Sequence, residues 1–415
     1  MHIIRILFCL MTAVTAYGSP PFRNGHLAII GGALSPDNAD VYREIIQRGG
    51  GNDCRVVVIA AASATPVRTG RSYSGDFIRF GVAPEKIDLL PVAVMDDPET
   101  TGVDESSWEA NRSDPRVISR VDQANIVFLA GGDQKRYARV FFTREDEETP
   151  LLQALRRLLS RGGVIAGTSA GAAVMSDPMI TGGDSQDSIL APDPTGSGSP
   201  VTMDRGPGFW PGGLVDQHFL RRGRWGRLLA ALMQSHRHSL GIGIGENTAA
   251  FINGNTVLVK GSGAVVVMDT GSVKSPTGSA RMISGLVLHY LQEGDRMDLA
   301  TRRIQAAPHR KSFNFSKDTI PRPQRTPLAG IFDSYALSRL LIEQLAEPGR
   351  RAASALCWED NIKGSAPGIR IVARLTPDSL VFHHSMEGKH SWTFHHVVID
   401  LKPVSVEVRS DEMKN

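Results

Sequence analysis

The chain has 415 residues, 41% of them hydrophobic and 21% charged, with 42 glycines and 24 prolines. That length and apolar content suit one large globular domain with room for a second, and exclude a disordered chain, a collagen-like repeat and a disulfide mini-scaffold. Lys and Arg number 46 against 43 Asp and Glu, a net charge of +3, so there is no basic footprint for nucleic acid and no acidic tail. Function must be argued from a site.

Residues 1–18 begin with His2 and Arg5, run apolar from Ile6 to Val14 and end among the small residues Thr15, Ala16 and Gly18. This is the pattern of a secretory signal peptide, too short to span a bilayer. The expected location is extracellular or periplasmic, with no membrane attachment once the signal is removed. Cys9 falls in this leader, which leaves Cys54 and Cys357; two cysteines so far apart allow a disulfide without predicting one. No CxxC metal spacing occurs. Asn111-Arg-Ser and Asn314-Phe-Ser match the glycosylation triplet, a pattern common by chance.

Short Val- and Ile-rich runs at 27–30, 55–60, 125–129 and 163–165 read as strands buried on both faces. Between them, 40–48, 75–80, 135–141 and 149–161 carry the mixed apolar and charged periodicity of helices. Strand and helix in alternation predict an α/β fold, a mostly parallel sheet with helices on both faces. A Gly-, Ser-, Asp- and Pro-rich stretch over 181–208 reads as a long loop. A helix at 224–235, a strand at 241–244 and hairpin-like runs at 249–260 and 263–269 follow.

Near residue 285 the texture changes. The expected organisation is a catalytic domain over 25–284, a linker over 285–330 that includes the basic, Pro-rich stretch 306–327, and a smaller α+β accessory unit over 331–415, to which no function is assigned. That unit is expected to hold a helix at 334–346 and strands at 368–375, 380–384, 391–400 and 404–408. His383, His384, His395 and His396 fall on facing strands. Adjacent strand residues point to opposite faces, so no more than one of each pair can reach a common ion, and no metal is assigned.

The sharpest signal is Gly163-Val-Ile-Ala-Gly-Thr-Ser-Ala-Gly-Ala-Ala-Val-Met175, a buried strand running into Gly-x-Ser-x-Gly and then a small-residue helix. That is the setting of a nucleophile elbow, with the Ser169 hydroxyl raised at the C-terminal edge of the sheet. A serine hydroxyl needs a base, and the base needs an orienting group. His218 lies just past an apolar strand in Val215-Asp-Gln-His-Phe, and Glu246 just past Gly241-Ile-Gly-Ile-Gly. Ser169, His218 and Glu246 together form a candidate triad. Asp216 is the competing acid, but two residues from His218 on one strand it is too constrained to reach round to the ring. The third glycine of a dinucleotide fingerprint would fall on Glu246, so that reading fails, and no phosphate-binding GxxxxGK[ST] is present. No cofactor is expected.

Arg221, Arg222, Arg224 and Arg227 crowd the start of the helix after His218. Cations there oppose the helix dipole unless an anion binds, and Arg forks match carboxylates, so a carboxylate-rich substrate would explain them.

Four segments in order, Leu129-Ala-Gly-Gly-Asp-Gln134, Gly162 to Ser176, Asp216-Gln-His-Phe through Arg222, Arg224 and Arg227, and Gly241-Ile-Gly-Ile-x-Glu246-x-Thr-Ala249, resemble cyanophycinase, a serine peptidase family of the peptidase E (aspartyl dipeptidase) superfamily. The resemblance spans roughly residues 25–271. It implies a flavodoxin-like sheet akin to class I glutamine amidotransferase domains, usually dimeric. It also implies Ser169 as nucleophile, His218 as general base and Glu246 as its partner, with Gln134, Gln217, Arg222, Arg224 and Arg227 lining the substrate pocket. The oxyanion donors would be the Ala170 amide with that of Gly131 or Gly132. The family substrate is cyanophycin, a poly-aspartate backbone with arginine on its side-chain carboxylates, cleaved to β-Asp-Arg dipeptides.

The chain departs from that family where Gly245 replaces the usual Asp before Glu246, and beyond residue 285, which has no counterpart in the minimal enzyme. Two rivals remain: an aspartyl or isoaspartyl dipeptidase with the same triad, and a secreted binding protein with a degenerate one. A lipase-type elbow would place its acid before the histidine, whereas Glu246 follows His218.

Overall fold

The computed structural model describes residues 25–190, 199–276, 280–313, 327–347, 349–358 and 364–408. The expected signal peptide, Asn314 and the 314–326 part of the basic stretch lie outside the described residues.

Five parallel strands form the centre of the first sheet: β1 (His26–Ile30), β2 (Val56–Ile59), β3 (Ile87–Leu89), β4 (Ile126–Leu129) and β5 (Val164–Thr168), in the spatial order β3-β2-β4-β5-β1. Strands β2, β4 and β5 are buried at every position, as expected for sequences such as VVVI and IVFL covered by helices on both faces. The helices α1 (Ala39–Arg48), α2 (Pro66–Arg79), α3 (Pro115–Asp122), α4 (Gln134–Phe141) and α5 (Pro150–Ser160) supply that cover. Their starts are written in the sequence. Asn38, Asp114, Asp133 and Thr149 each accept a hydrogen bond from a first-turn amide, and Pro115 and Pro150 occupy first-turn positions where no N–H is needed. In α5, Leu151, Leu152, Leu155, Leu158 and Leu159 make the buried stripe.

The chain then runs through a four-residue helix, α6 (Ala170–Ala173), to a short antiparallel pair, β6 (Met179–Gly182) and β7 (Thr202–Asp204), separated by α7 (Ser185–Leu190). The stretch expected to be one long loop over 181–208 is therefore partly ordered, and 191–198 lies outside the described residues.

Next come β8 (Leu214–Asp216), α8 (Trp225–Gln234), β9 (Leu240–Ile244), β10 (Thr248–Asn253), β11 (Thr256–Gly261), β12 (Ala264–Asp269) and β13 (Ile283–Gln292). Strand β10 pairs antiparallel with β1, and β11 and the short strands β14 (Arg296–Asp298) and β15 (Ile304–Gln305) complete that side of the first sheet.

A second, largely antiparallel sheet has the order β17-β18-β19-β20-β13-β12-β9-β8, with β16 (Lys311–Ser312) on β19. Its last strands are β17 (Leu328–Ala329), β18 (Ala352–Trp358), β19 (Gly364–Met386) and β20 (Lys389–Val408). The strands expected at 368–375 and 380–384 are one strand with an irregularity between Leu375 and Leu380, and those at 391–400 and 404–408 are also one.

This sheet corrects the expected domain division. Strand β13 spans the boundary drawn at 285, and its Leu286, Val287 and Tyr290 pair with Ile399, Val398 and Phe394 of β20. Phe219, Leu228 and Val266 share one apolar cluster with Leu340, Ile369, Phe394 and Leu401. The region after 331 thus builds onto the catalytic half through a continuous hydrogen-bonded sheet and core. The change of texture near 285 marks a switch from doubly covered α/β sequence to half-exposed antiparallel ribbon, and period-2 alternation looks the same in either context. The helix expected at 334–346 comprises α9 (Ala336–Arg339) and a wider π-type turn, Leu340–Leu345. Cys54 and Cys357 are both buried as free thiols.

Candidate active site

Ser169 stands directly after β5 with φ of +54°, a sparsely populated conformation for a residue with a Cβ. The strand holds it from one side, where its amide donates to the Ile30 carbonyl at 3.1 Å, and Gly131 at the end of β4 packs against it from the other. His218 lies beyond β8, also at positive φ (+49°), with its amide donating to the Gly31 carbonyl at 2.6 Å. Its Nε2 is 3.0 Å from Ser169 Oγ and its Nδ1 is 2.6 Å from Glu246 Oε1. Glu246 follows β9. The serine therefore comes from the first sheet and its two partners from the second, so the site lies on the seam between sheets rather than on the rim of one.

The electrostatics suit a proton acceptor. Burial lowers the His218 pKa below its ordinary value; Glu246 works in the opposite direction, and the charges of Arg222 and Arg224 add to the lowering. The ring is thus neutral near pH 7. With Nδ1–H donated to Glu246, Nε2 is left free to accept from the serine hydroxyl.

Two further residues hold this relay in place. A Cβ on Gly32 would lie 2.3 Å from His218 Nε2, so the imidazole can occupy its place only because residue 32 has no side chain. Asn247, next to Glu246, has its amide on the Gly32 carbonyl at 2.9 Å. Its Oδ1 accepts from the Ser35 amide at 2.9 Å and from Asn38 Nδ2 at 2.7 Å. Asn247 so ties the loop under the imidazole to the residue beside the carboxylate. Asn247 adopts φ +51°, which an Asn tolerates better than most residues, and its residue type is the trace it leaves in the sequence.

The arginine cluster separates into three kinds. Arg227, expected in the pocket lining, is buried: Nε and Nη2 grip Asp216 at 2.8 and 2.6 Å, and Nη1 donates to the Gly183 carbonyl at 2.8 Å. Asp216 is thereby the internal anion for this cation, which is why it does not serve His218. Arg224 lies 3.8 Å from the same carboxylate and donates to the Gln217 carbonyl at 2.8 Å, with burial bringing its pKa down to about 10. Arg222 is exposed and its charge acts on His218. Arg227 is neutralised by a close internal carboxylate, so the dipole argument for an external anion bears on the exposed Arg221 and Arg222. Arg221 reaches Ser334 Oγ at 3.3 Å.

Gln217 is buried with Oε1 lacking a partner among the described residues, a polar atom available to a ligand. Gln134 is buried and donates Nε2 to the Ile180 carbonyl at 2.8 Å. Ala170 opens α6 and Gly132 packs on Ala62 beside Gly131. Gly245 donates its amide to the Ala264 carbonyl at 2.9 Å. The four histidines weighed for a metal do not share a centre: His383 meets His390 at 3.0 Å, the ring of His384 packs edge-on against His309, and His395 and His396 border His289.

The sequence model of peptidase family S51 matches residues 99–260, a span containing Ser169, His218 and Glu246. A protein named cyanophycinase from Synechococcus elongatus is 34% identical over 291 residues, covering 68% of this chain and 81% of that one. Another cyanophycinase, from Trichormus variabilis, is 33% identical over 294 residues, 68% of this chain and 89% of its own. The chain belongs to peptidase family S51.

It is a serine-type peptidase. Among solved structures, a peptidase from an acI-B1 actinobacterium aligns with a TM-score of 0.47 at 20% identity, over 67% of this chain and 98% of that one. The S51 match ends at residue 260, so of the second sheet β8 and β9 lie within it, and β12, β13 and the later strands beyond it.

Proposed function

We propose that this S51 peptidase hydrolyses the aspartyl backbone of cyanophycin through Ser169, His218 and Glu246, releasing β-Asp-Arg dipeptides, and that it acts outside the cytoplasm. The observation that carries the reading is the unbroken relay Ser169 Oγ–His218 Nε2–His218 Nδ1–Glu246, at 3.0 and 2.6 Å. The curated relatives named cyanophycinase, which the chain covers over most of their length, support the substrate. The leader-like residues 1–18 support the location.

In this reading Ser169 Oγ attacks the carbonyl on the C-terminal side of an aspartyl residue as His218 Nε2 takes its proton, and Glu246 stabilises the imidazolium. The Ala170 and Gly132 amides hold the oxyanion. As the intermediate collapses, the C–N bond breaks and His218 returns the proton to the leaving amine. Water, deprotonated by His218, then cleaves the acyl ester and regenerates the serine. Arg222, exposed beside the relay, meets the free carboxylate that each arginyl branch presents. The intact relay argues against a binding protein with a degenerate site. The test is incubation of the mature protein with insoluble cyanophycin and mass analysis of the soluble products. β-Asp-Arg dipeptides are expected; turnover of Asp-X or isoaspartyl dipeptides with the polymer left intact would assign the dipeptidase alternative.

A further inference from the structure

The turn carrying Arg221, Arg222 and Arg224 is gripped by residues far downstream of the S51 match. The indole N–H of Trp225 donates to the Ile331 carbonyl at 3.1 Å, and the Trp225 and Phe332 rings pack with centroids 5.0 Å apart. The Tyr335 amide donates to the Leu220 carbonyl at 2.8 Å, and Ser334 Oγ takes a hydrogen bond from Arg221. The closest approach is at Gly223, at φ +56°, where a Cβ would lie 1.7 Å from the Phe332 carbonyl oxygen. Opposite, Ser185 Oγ donates to the Gly223 carbonyl at 2.6 Å.

In the turn joining His218 to α8, Phe219 and Leu220 are buried while Arg221 and Arg222 after them are exposed, and an exposed arginine loses conformational freedom on binding an anion. Here the backbone of that turn is held on both sides, by Ser185 and by residues 331–335. We propose that the segment Ile331–Tyr335 is a positioning element for substrate binding, in which Phe332 sets the turn that aims Arg222 at a substrate carboxylate. This gives the C-terminal region a task in the peptidase itself. It rests on the proposed role of Arg222 as carboxylate ligand, and Phe332 acts through that residue, not on the reacting atoms.

The decisive experiment is a double-mutant cycle between Phe332→Ala and Arg222→Ala in the full-length protein. Two readouts are used: steady-state hydrolysis of cyanophycin, and protection of Ser169 from a fluorophosphonate label by β-Asp-Arg dipeptide. Phe332→Ala is expected to raise KM about 5- to 10-fold with kcat within about 2-fold, and to weaken dipeptide protection by the same factor. In the Arg222→Ala background its added effect should fall below about 2-fold. Phe332→Leu, which keeps most of the bulk, should restore most of the loss and serves if the alanine variant does not fold. A fall in kcat at unchanged KM, or a Phe332→Ala effect of equal size with and without Arg222, overturns the proposal. Failure of the substrate reading looks different: the wild type would label at Ser169 and leave cyanophycin untouched, while dipeptide protection would still report on the Phe332–Arg222 coupling.

Discussion

Gly32 and His218 are in such close contact that the imidazole occupies the space a side chain at residue 32 would fill, 2.3 Å from Nε2. Residue 32 also adopts φ of +98°, which an L side chain tolerates poorly. Gly32→Ala should therefore displace the ring from Ser169 and lower kcat by about 10²-fold or more, because misplacing a reacting group by about 1 Å costs that much. Fluorophosphonate labelling of Ser169 should slow in parallel while the far-UV spectrum is retained. Wild-type labelling in this variant would mean that the ring has another way to reach the serine.

Ser169→Ala should abolish hydrolysis, by on the order of 10⁴-fold or more, since nucleophile and base act as a unit. Binding of β-Asp-Arg should survive, as no contact to the arginyl carboxylate is removed. Calorimetric titration of the inactive variant checks this, and full hydrolytic activity in it would falsify the nucleophile assignment.

The pH dependence follows from His218. Its pKa is lowered chiefly by burial, so the base stays neutral below the usual value of 6.5, and the acid limb of kcat/KM should fall below that value. Glu246 raises this pKa and the charge of Arg222 lowers it. Glu246→Gln should thus move the limb to lower pH with a large loss of rate, and Arg222→Ala should move it up. A limb that does not respond to either change would belong to another group.

Asp216 and Arg227 form an ion pair whose side chains are 1% and 5% exposed. Removing one member leaves a buried uncompensated charge, at a cost of about 3–5 kcal/mol. Asp216→Ala should lower the denaturant midpoint accordingly. A variant of unchanged stability would show that water or Asp184, whose charge also acts on Arg227, satisfies the guanidinium.

His289 on β13 is fully buried; its Nδ1 accepts from the His396 amide of β20 at 3.2 Å, and Nε2 has no partner among the described residues. Burial, with the nearby His395, His396 and Arg302, pushes its pKa well below 6.5. The unfolded chain binds a proton near pH 6.5 that the folded state refuses, so this group's contribution is intact above that pH and is lost as the pH falls below it toward the folded value. His289→Leu should shrink the drop in melting temperature between about pH 8 and about pH 5. An undiminished drop would place the acid sensitivity elsewhere.

The legible and the hidden parts of this molecule divide on range. The parallel strands showed as continuous apolar runs such as Val56–Ile59 and Ile126–Leu129, and the helices as mixed apolar and charged periodicity, because both signals live within a dozen residues. The loop over 181–208 was less readable: the strands at Met179 and Thr202 are short and pair only with each other, so little in their composition distinguishes them from turn. At Arg227 the same limit led to an error of role. A basic run at a helix start looks alike whether its counter-ion is a substrate or a carboxylate buried on the neighbouring strand.

The sequence by itself determined the chemistry available, a serine on a strained turn with a histidine and a glutamate each placed just past a strand, because strand ends and elbows are set by local propensity and sterics. Only the tertiary structure decided the partners: that two sheets meet so that Ser169 faces His218, that Asp216 is taken by Arg227, and that residues after 331 grip the turn bearing Arg222. Those choices depend on packing and charge neutralisation between residues separated by 11, 49 and 106 positions, and no local pattern encodes which of several matching surfaces will touch.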